Sequence, residues 1–392
     1  MKNKAAFYLL FIVIFSGCTR QDAVKENPFA AWLVSASLDA EQTPQELYSA
    51  ALNEDMLLVY STSTRMMEVA SSFEKQYPGL IVKVEHLREP ELYETLAENY
   101  RTGIISGDII CSADGRGIMA RNFLENYTAV KYVPYDIADK ILPGNNEEFL
   151  MLAGEASVLC YNELFYSSAP VNNWWELTEE KWRGFVYLAN PTRSMTTLAF
   201  FCTLIDNNEI MEKAYEDLYG VKFPQGQNAG REFVRRLMAN GAVIVNSSDE
   251  VAEITGAPGS VGPYIGIIIS SKTRLREIGY KMINHYDMKP FAGVYTPITI
   301  MMNGGAKNIN AAKLFIRWLL GETDGQGQGY KPYLQSGAWS VRSDIRDGTG
   351  IKSEDLNLLY LDRAHLYENY ESFLVFWESL FTENSESFSK PD

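Results

Sequence analysis

Residues 56–84 read MLLVYSTSTRMMEVASSFEKQYPGLIVKV and contain one complete strand–helix–strand unit. Both ends of the stretch are apolar runs with strand character. Between them, apolar residues recur with helical spacing from Arg65 to Tyr77 and stop at Pro78-Gly79. A helix that joins two neighbouring strands places them parallel with a right-handed crossover. The stretch therefore predicts an α/β fold built on a parallel sheet.

The same alternation continues along the chain. Further strands are predicted at Gly107–Ser112, Phe185–Ala189 and Gly293–Met302, and further helices at Pro90–Arg101, Met195–Asn207 and Asn310–Leu320. A chain of 392 residues normally divides into more than one packed unit. We expect a first lobe of residues 55–159 with 293–392, including C-terminal helices, and a second lobe of residues 160–292.

Residues 1–17 read MKNKAAFYLLFIVIFSG and directly precede Cys18. Two lysines, an apolar run too short to span a bilayer and a pair of small residues are typical of a secretory signal peptide. Cleavage before a cysteine is similar to a bacterial lipobox, which implies that Cys18 is lipidated. The alternative is an ordinary signal peptide with an incidental cysteine. Residues 18–54 then form a tether and N-terminal segment, and the protein works in the bacterial cell envelope, outside the cytoplasm.

The chain carries a formal net charge of −15, with 46% hydrophobic and 22% charged residues. An acidic balance argues against nucleic-acid binding, which needs basic patches that release counterions. It also argues against a polybasic grip on anionic lipid. We therefore expect no nucleic-acid partner, and a lipid as the only membrane anchor.

Cys111, Cys160 and Cys202 lie in apolar surroundings, where cysteine usually acts as a small core residue. Three thiols allow at most one disulfide, and the sequence leaves that pairing open. The chain has three scattered histidines and no C-x-x-C motif. We expect no metal and no cofactor.

The first candidate site is the run Ser61, Thr62, Ser63, Thr64 and Arg65, at the carboxyl end of a predicted strand and the start of a helix. Free backbone N–H groups and the positive end of a helix favour an anion there. The hydroxyls donate or accept hydrogen bonds, and the arginine offers a bidentate contact. The alternative is a helix cap with more hydroxyls than one cap needs.

A second candidate loop has the same strand-to-helix position in the other predicted lobe. It contains Thr192, Arg193, Ser194 and Thr196. Two hydroxyl-rich helix starts, one in each lobe, suit the capture of one anionic or polar solute between them.

Two single residues complete the candidate set. Asp114 follows the strand GDIICS and either accepts a hydrogen bond from a ligand or caps the next helix. Tyr264 precedes a strand and offers a phenol to the cleft between the two predicted lobes.

Enzyme motifs are absent: there is no G-x-S-x-G, no G-x-G-x-x-G after a strand and no phosphate-loop lysine motif. We therefore expect no enzymatic activity.

Several segments together resemble a known family. They are VYSTSTR, GDII, LTEEKWRGFVYLANPTRS, TPITIMMNGGAKNINAAKLFIRWLLGE and SGAWSVRSDI. They look like the type 2 solute-binding proteins of ABC importers, in the branch that contains ferric-iron binders and binders of hexose phosphates and phosphoglycerate. The resemblance covers roughly residues 55–345.

This resemblance implies a two-lobed periplasmic-binding-protein fold. Each lobe has a mixed, mostly parallel sheet flanked by helices, and hinge strands join the lobes. It also implies a monomer that binds solute in the cleft and passes it to an ABC permease; a solute-sensing subunit for a membrane kinase is an alternative. The family loops fall on Ser61–Ser63, Thr192–Ser194 with Thr196, and Asp114.

One departure concerns the solute. Ferric binders of this type ligate iron through two adjacent tyrosines, and this sequence contains no Tyr-Tyr pair. Hard Fe(III) prefers anionic oxygen donors such as phenolate. We therefore expect a small organic anion, either an organophosphate such as a sugar phosphate or a carboxylate, with ferric iron or a ferric chelate as the alternative.

Overall fold

The computed structural model describes residues 29–124, 126, 128–346 and 350–388. Strands and helices alternate through most of these ranges. The strands are β1 (Leu57–Ser61), β2 (Val82–His86), β3 (Ile109–Ser112), β4 (Ala129–Val130), β5 (Leu150–Asn162), β6 (Val186–Ala189), β7 (Val243–Val245), β8 (Ile265–Ile269), β9 (Met282–His285), β10 (Gly293–Asn303), β11 (Trp339–Ser340) and β12 (Leu358–Tyr360).

The α-helices follow or connect these strands, and short 3₁₀ and π turns fill several loops. The α-helices are α1 (Ala30–Ala36), α2 (Pro44–Ala51), α3 (Met66–Gln76), α4 (Glu89–Thr102), α5 (Met195–Asp206), α6 (Asn208–Tyr219), α7 (Ala229–Ala239), α8 (Ser248–Gly256), α9 (Ile309–Leu319) and α10 (Arg363–Phe388).

The described strands join one continuous sheet, with the main order β2-β1-β3-β10-β5-β8-β6-β7. β1 is parallel to β2 and β3, and β6 is parallel to β7 and β8. Between these two groups, the long strands β5 and β10 run antiparallel, with Gly293 opposite Val158 and Ile300 opposite Leu150. The predicted fold class is therefore confirmed: two mostly parallel α/β lobes are joined by crossing strands.

Each lobe has its own apolar core. In the first lobe, Val59 packs with Phe73 of α3 and Phe315 of α9. In the second lobe, Trp175 and Phe201 belong to a separate cluster around α5 and α7. Burying one large apolar side chain contributes about 1.5–3 kcal/mol to folding, so each cluster can stabilise its own lobe.

The N-terminal helices belong to the first lobe. Leu47 of α2 is buried in the first-lobe core, and Trp32 Nε1 of α1 donates a hydrogen bond to the Ala306 carbonyl at 2.8 Å. The segment 18–54, predicted as tether and N-terminal segment, thus folds onto the lobe from α1 onward. Cys18 and the predicted signal peptide lie outside the described residues.

The C-terminal helix packs differently from the prediction. Phe373, Phe376 and Trp377 of α10 are buried against α5 and α7, which belong to the second lobe. The proposed boundaries placed residues 293–392 with the first lobe. The helical spacing of these aromatic residues correctly indicates packing, but spacing contains no information about which lobe receives them.

The cysteines of the described ranges are core residues. Cys111, Cys160 and Cys202 are buried free thiols. Burial raises the pKa of Cys111 to about 11 and that of Cys160 to about 12. Because the thiolate is the reactive form, these thiols are chemically inert at neutral pH.

Across the described residues, no helix combines the length and apolar content that crossing a membrane requires.

Replacing Trp377 with Ala tests the packing of α10. The side chain is fully buried, so we expect Trp377→Ala to lower the free energy of unfolding by about 3–5 kcal/mol in urea titrations followed by circular dichroism. Val375 of the same helix is 63% exposed, and Val375→Ala should change stability by less than about 0.5 kcal/mol. Equal effects of the two substitutions would contradict the described packing.

Candidate functional site

Strand ends of both lobes face a common gap along the middle of the crossing strands. β3 ends with Ser112 opposite Thr299 of β10, at the level of Met151 on β5. β8 ends with Ile269 opposite Ser157 of β5. Six residue steps along β5, from Met151 to Ser157, therefore separate the two lobe edges, a span of about 20 Å at strand geometry. Ligands of α/β proteins bind at the carboxyl ends of parallel strands, and here two such edges face one gap.

The first-lobe loop is shaped by its own hydroxyls. Ser61 is fully buried, and its Oγ accepts a hydrogen bond from Ser63 N and donates one to Ser63 O, both at 3.0 Å. Thr62 N donates to the Cys111 carbonyl at 3.0 Å. Arg65 occupies the N-cap position of α3, and no side chain caps this helix. The hydroxyls therefore do not serve as a redundant helix cap.

Arg65 crosses from this loop to the middle of β5. Its Nη2 lies 2.7 Å from Glu155 Oε1, and its guanidinium lies 4.5 Å from the centre of the Tyr333 ring. Both charged side chains are nearly buried, at 12% and 7% exposure. Arg65 was predicted to offer a bidentate contact to an anion, but its charge is already compensated by Glu155. Only Nη1, which is buried without a hydrogen-bond partner, remains free for a further contact.

Two further cations follow β8, and sequence reasoning missed both. Lys272 forms an ion pair with Asp249 of α8, and Arg274 Nη1 donates to the Ser271 carbonyl at 2.9 Å. Burial lowers the pKa of Arg274, and the nearby charge of Arg65 lowers it further. The run SSKTR after an apolar strand repeats the hydroxyl-and-cation pattern of the first loop, and this signal could have identified it.

Together these side chains form a cluster with a positive excess. We call Arg65, Lys272, Arg274, Glu155 and Asp249 the cation cluster. It contains three cations and two carboxylates, and the charges of Arg65, Glu155 and Asp249 all act on the pKa of Arg274. The cluster therefore joins the first-lobe loop, the crossing strand and the second-lobe strand end.

The second-lobe loop presents hydroxyls at the start of α5. Ser194 is the N-cap, and its Oγ accepts from Thr197 N at 3.4 Å and lies 3.2 Å from Thr196 Oγ1. Thr192 is held by Asn190, whose Oδ1 accepts from Thr192 N at 2.9 Å. Arg193 is exposed, and within the described part of the chain it has no ion-pair partner.

Asp114 does not point towards a solute. Its side chain is fully buried, with φ of 46°, and its carboxylate accepts hydrogen bonds from Met119 N at 3.0 Å and Ala120 N at 3.3 Å. Tyr93 OH also donates to it at 3.3 Å. These contacts fit the capping alternative, because two of the three hold the turn that follows β3 and the third comes from the buried Tyr93 of α4. Burial raises the pKa of Asp114 to about 7.

The turn after Asp114 brings the lobes into contact. Glu89 Oε1 accepts hydrogen bonds from Ser112 Oγ at 3.0 Å and Gly115 N at 3.2 Å. A Cβ atom on Gly115 would lie 3.4 Å from Met195 Cβ, at the start of α5. The first-lobe turn and the second-lobe loop thus lie against each other.

Tyr264 lies outside this site. It directly precedes β8, and its ring packs against the rings of Tyr187 and Phe185 at centroid distances of 5.0 and 6.1 Å. The lobe edge follows the other end of β8, about 20 Å away at strand geometry. The structure therefore places Tyr264 away from the gap into which it was predicted to point.

A cavity of about 820 Å³ lies beside the contact between the lobes. It is lined by residues of both lobes, of β10, of β11 and of the segment that leads into α10. The lining includes Gly115, Thr196, Tyr295, Trp339, Tyr360 and Arg363. Pockets of 300–1,000 Å³ are the usual size for small organic ligands.

In the ranges described, no group of three His, Cys, Asp or Glu side chains is arranged to hold a metal ion.

The raised pKa of Asp114 predicts a pH dependence of stability. The folded protein holds this proton up to about pH 7, whereas the unfolded chain releases it near pH 4. Between these values the folded state binds more protons, so stability falls as pH rises, by up to about 1.4 kcal/mol per pH unit. Burial also raises the pKa of Glu89, which adds a contribution of the same sign.

We expect Asp114→Asn to flatten this dependence. Urea titrations of both proteins between pH 5 and pH 7 measure it, and the wild type should lose more stability over that interval than the variant. Comparing the two cancels the titration of other groups. Parallel curves would show that Asp114 does not titrate in this range.

Comparison with known proteins supports the fold. No protein-family model and no curated protein sequence matches the chain. Among solved structures, iron-bound HitA from Pseudomonas aeruginosa has 18% identity and a TM-score of 0.62, covering 83% of this chain and 99% of its own. AfuA from Actinobacillus pleuropneumoniae, with exogenous fructose-6-phosphate bound, has 15% identity and a TM-score of 0.61, covering 82% and 97%.

The substrate-binding protein of an ABC transporter from Agrobacterium tumefaciens is similar to the same degree. It has 15% identity and a TM-score of 0.61, covering 82% of this chain and 95% of its own. These identities are too low to transfer a solute, but the coverage is nearly complete for each neighbour. The chain therefore has the two-lobed fold of the type 2 periplasmic solute-binding proteins.

Proposed function

We propose that this chain is the solute-binding component of an ABC importer and that it captures a small anionic solute between its lobes. The solute is an organophosphate, such as a sugar phosphate, or a carboxylate. In this proposal Cys18 carries a lipid that anchors the protein to the outer side of a bacterial membrane. The loaded protein then delivers its solute to a permease.

The observation that carries this proposal is the convergence of polar strand ends from both lobes on the middle of β5. The first lobe contributes the hydroxyls around Ser63, and the second lobe contributes those around Ser194. The cation cluster has one positive charge in excess of its carboxylates. An arrangement of hydroxyl donors with surplus positive charge suits a phosphate or carboxylate.

The proposed roles follow from which groups remain available. Thr62, Ser63, Thr192, Ser194 and Thr196 donate hydrogen bonds to the solute. Lys272 and Arg274 supply charge, with Arg193 at the exposed end of the second-lobe loop. Arg65 acts through Nη1 and holds the first loop against Glu155. Ser61 and Asp114 shape the loops and do not contact the solute.

The proposed mechanism is hinge closure. A solute that contacts both lobes stabilises the closed arrangement by its differential affinity for that state. Bending concentrates in β5 and β10, since these strands run from one lobe into the other. Binding and release involve no chemical step, and the proposal requires no catalytic acid, base or nucleophile.

An organic anion fits the described residues better than ferric iron. Fe(III) favours several anionic oxygen ligands. The carboxylates of the cation cluster are already paired with Arg65 and Lys272, and adjacent tyrosines are absent from the sequence. The solved neighbours include one protein with iron bound and one with fructose-6-phosphate bound, so the fold accommodates either class.

A thermal-shift panel on the mature protein tests this proposal. The probes are fructose 6-phosphate, glycerol 3-phosphate, citrate, 4-aminobutyrate and ferric chloride. A ligand at 100 times its dissociation constant adds about 2.7 kcal/mol of stability, so an organic anion that binds should raise the melting temperature clearly. A shift with ferric iron alone would contradict the solute class.

Point variants then locate the site. We expect Ser63→Ala and Ser194→Ala each to weaken binding about 3- to 10-fold, because a typical net hydrogen bond contributes about 0.5–1.5 kcal/mol. Lys272→Met should weaken it about 10- to 100-fold, because hydrogen bonds to charged groups contribute about 1.5–3 kcal/mol. Ser49→Ala, on the exposed face of α2, is the matched control and should leave affinity unchanged. Unaltered affinity in all three site variants would place the solute elsewhere.

A further inference from the structure

The first lobe carries a group of exposed apolar side chains that belong neither to its core nor to the proposed solute site. Leu52, Met56, Ile81 and Ile104 are 50%, 44%, 62% and 71% exposed. We call these four residues the base patch. Single apolar residues on a surface are ordinary, but several on one face of a protein indicate a surface that contacts an apolar partner.

The sheet places the base patch at the amino ends of its parallel strands. Met56 directly precedes β1 and Ile81 directly precedes β2, and Leu57 N donates a hydrogen bond to the Ile81 carbonyl at 2.9 Å. A Cβ atom on Gly79 would lie 3.0 Å from Leu52 Cδ2. These residues therefore lie together at the amino edge of the first-lobe sheet, which is opposite to the strand ends that face the interlobe gap.

The first described residue lies at the same edge. Ile104 is in the segment that leads into β3, which runs parallel to β1. A Cβ atom on Gly305 would lie 2.9 Å from Cγ1 of Ile105, the neighbour of Ile104, and 3.0 Å from Cε1 of Phe29. Phe29 is where the described part of the chain begins. The chain therefore enters the first lobe beside the base patch.

The charges beside the base patch have both signs. Glu54 accepts hydrogen bonds from Asn310 N at 3.0 Å and Ala311 N at 2.8 Å, so its carboxylate is held against the start of α9. Asp55 and Lys307 are exposed and carry opposite charges. Repulsion between this edge and an anionic lipid surface is therefore weaker than the net charge of −15 for the whole chain suggests.

We propose that the base patch lies against the bilayer that holds the lipid of Cys18. This inference rests on the lipid anchor of the proposed function. Ten residues separate Cys18 from Phe29, and a fully extended chain of that length spans at most about 35 Å. The lipid therefore keeps the amino edge of the first lobe close to the membrane surface. One acyl chain alone binds a membrane only marginally, and apolar contacts from the protein add to its affinity.

In this arrangement the interlobe gap opens away from the bilayer. β1 begins beside the base patch and ends with Ser61 at the gap, five residues later, which is about 17 Å further from the membrane at strand geometry. The proposed solute site therefore stays open to the surrounding medium while the first lobe lies on the membrane.

Environment-sensitive fluorescence of the anchored protein tests the inference. A hexahistidine tag in place of residues 1–18 attaches the protein to phosphatidylcholine vesicles that contain nickel-chelating lipid, so the test does not depend on lipidation of Cys18. The fluorophore NBD is attached to a cysteine introduced at Thr102, beside the base patch, or at Glu209 in the second lobe. Both positions are exposed, and the cysteines within the described ranges are buried. We expect vesicles to increase NBD emission about twofold or more at Thr102, because the fluorophore then enters the lipid interface, and to leave it nearly unchanged at Glu209.

Matched double variants assign the effect to the base patch. Ile81→Ser with Ile104→Ser should reduce the increase at Thr102 to the level seen at Glu209. Val261→Ser with Ile278→Ser is the control, since these side chains are 87% and 69% exposed on the second lobe, and it should keep the full increase. The melting temperature of each variant shows that it is folded.

Three outcomes overturn the inference: no increase at Thr102, equal increases at both labelled positions, or an increase that survives Ile81→Ser with Ile104→Ser. A dimer in size-exclusion chromatography that the same variant abolishes would also overturn it, because the base patch would then bind a second copy of the chain.

The lipid anchor and the solute site are tested separately. Metabolic labelling of the full chain with an alkyne fatty acid, compared with Cys18→Ser, supports the anchor if the label disappears in the variant. A full chain that takes up no label overturns the anchor, whatever the vesicle experiment shows. The thermal-shift panel tests anion binding independently, because the base patch lies at the opposite edge of the sheet from the gap.

Discussion

The antiparallel pairing of β5 with β10 is the constraint on which the remaining structure depends. The two strands are 13 and 11 residues long, and their ladder is shared by both lobes. A register slip of one residue would turn every side chain to the opposite face of the sheet. Glu155 would then leave Arg65. Close backbone approach helps to set this register, since a Cβ atom on Gly293 would lie 2.2 Å from the Ser157 carbonyl oxygen.

The charges at the hinge follow from the same constraint. A buried arginine requires a partner, and breaking such a pair by removing one member costs about 3–5 kcal/mol. The crossing strand supplies that partner at position 155 and so ties the first-lobe loop to the middle of the molecule. The surplus positive charge therefore resides on the second-lobe strand end, at Arg274, because Lys272 is paired with Asp249. We propose that this division lets one lobe stay preorganised while the other supplies charge to the solute.

Much of the fold could be predicted from the sequence because its signals are local. Apolar runs and helical spacing identify the strand–helix units, and hydroxyl-rich segments mark the strand ends at Ser61–Ser63 and Thr192–Ser194. The family resemblance supplied the crossing strands. The site predictions that failed depend on the direction of a side chain or on contacts with residues far away in the sequence. Asp114 turns inwards because its φ of 46° aims the carboxylate at the next turn, and Tyr264 sits at the wrong end of its strand.

The missed residues have a similar explanation. Lys272 and Arg274 become recognisable as candidate binding residues only when β8 is known to pair with β5. The sequence alone does not indicate which strand ends face the gap. Arg363 opens a helix whose aromatic face belongs to the second lobe and whose first turn touches the first lobe. Neither relation is visible in spacing, because both depend on elements more than 100 residues apart.

The central claim is that an anionic solute binds between the lobes and holds them together. Spin labels on cysteines introduced at Thr102 in α4 and Glu209 in α6, in a Cys18→Ser background, measure the interlobe distance; both positions are exposed, and the cysteines within the described ranges are buried. With a saturating concentration of the organic anion that raises the melting temperature most in the thermal-shift panel, the account predicts a shorter and narrower distance distribution. A probe that binds by calorimetry yet leaves this distribution unchanged would contradict it.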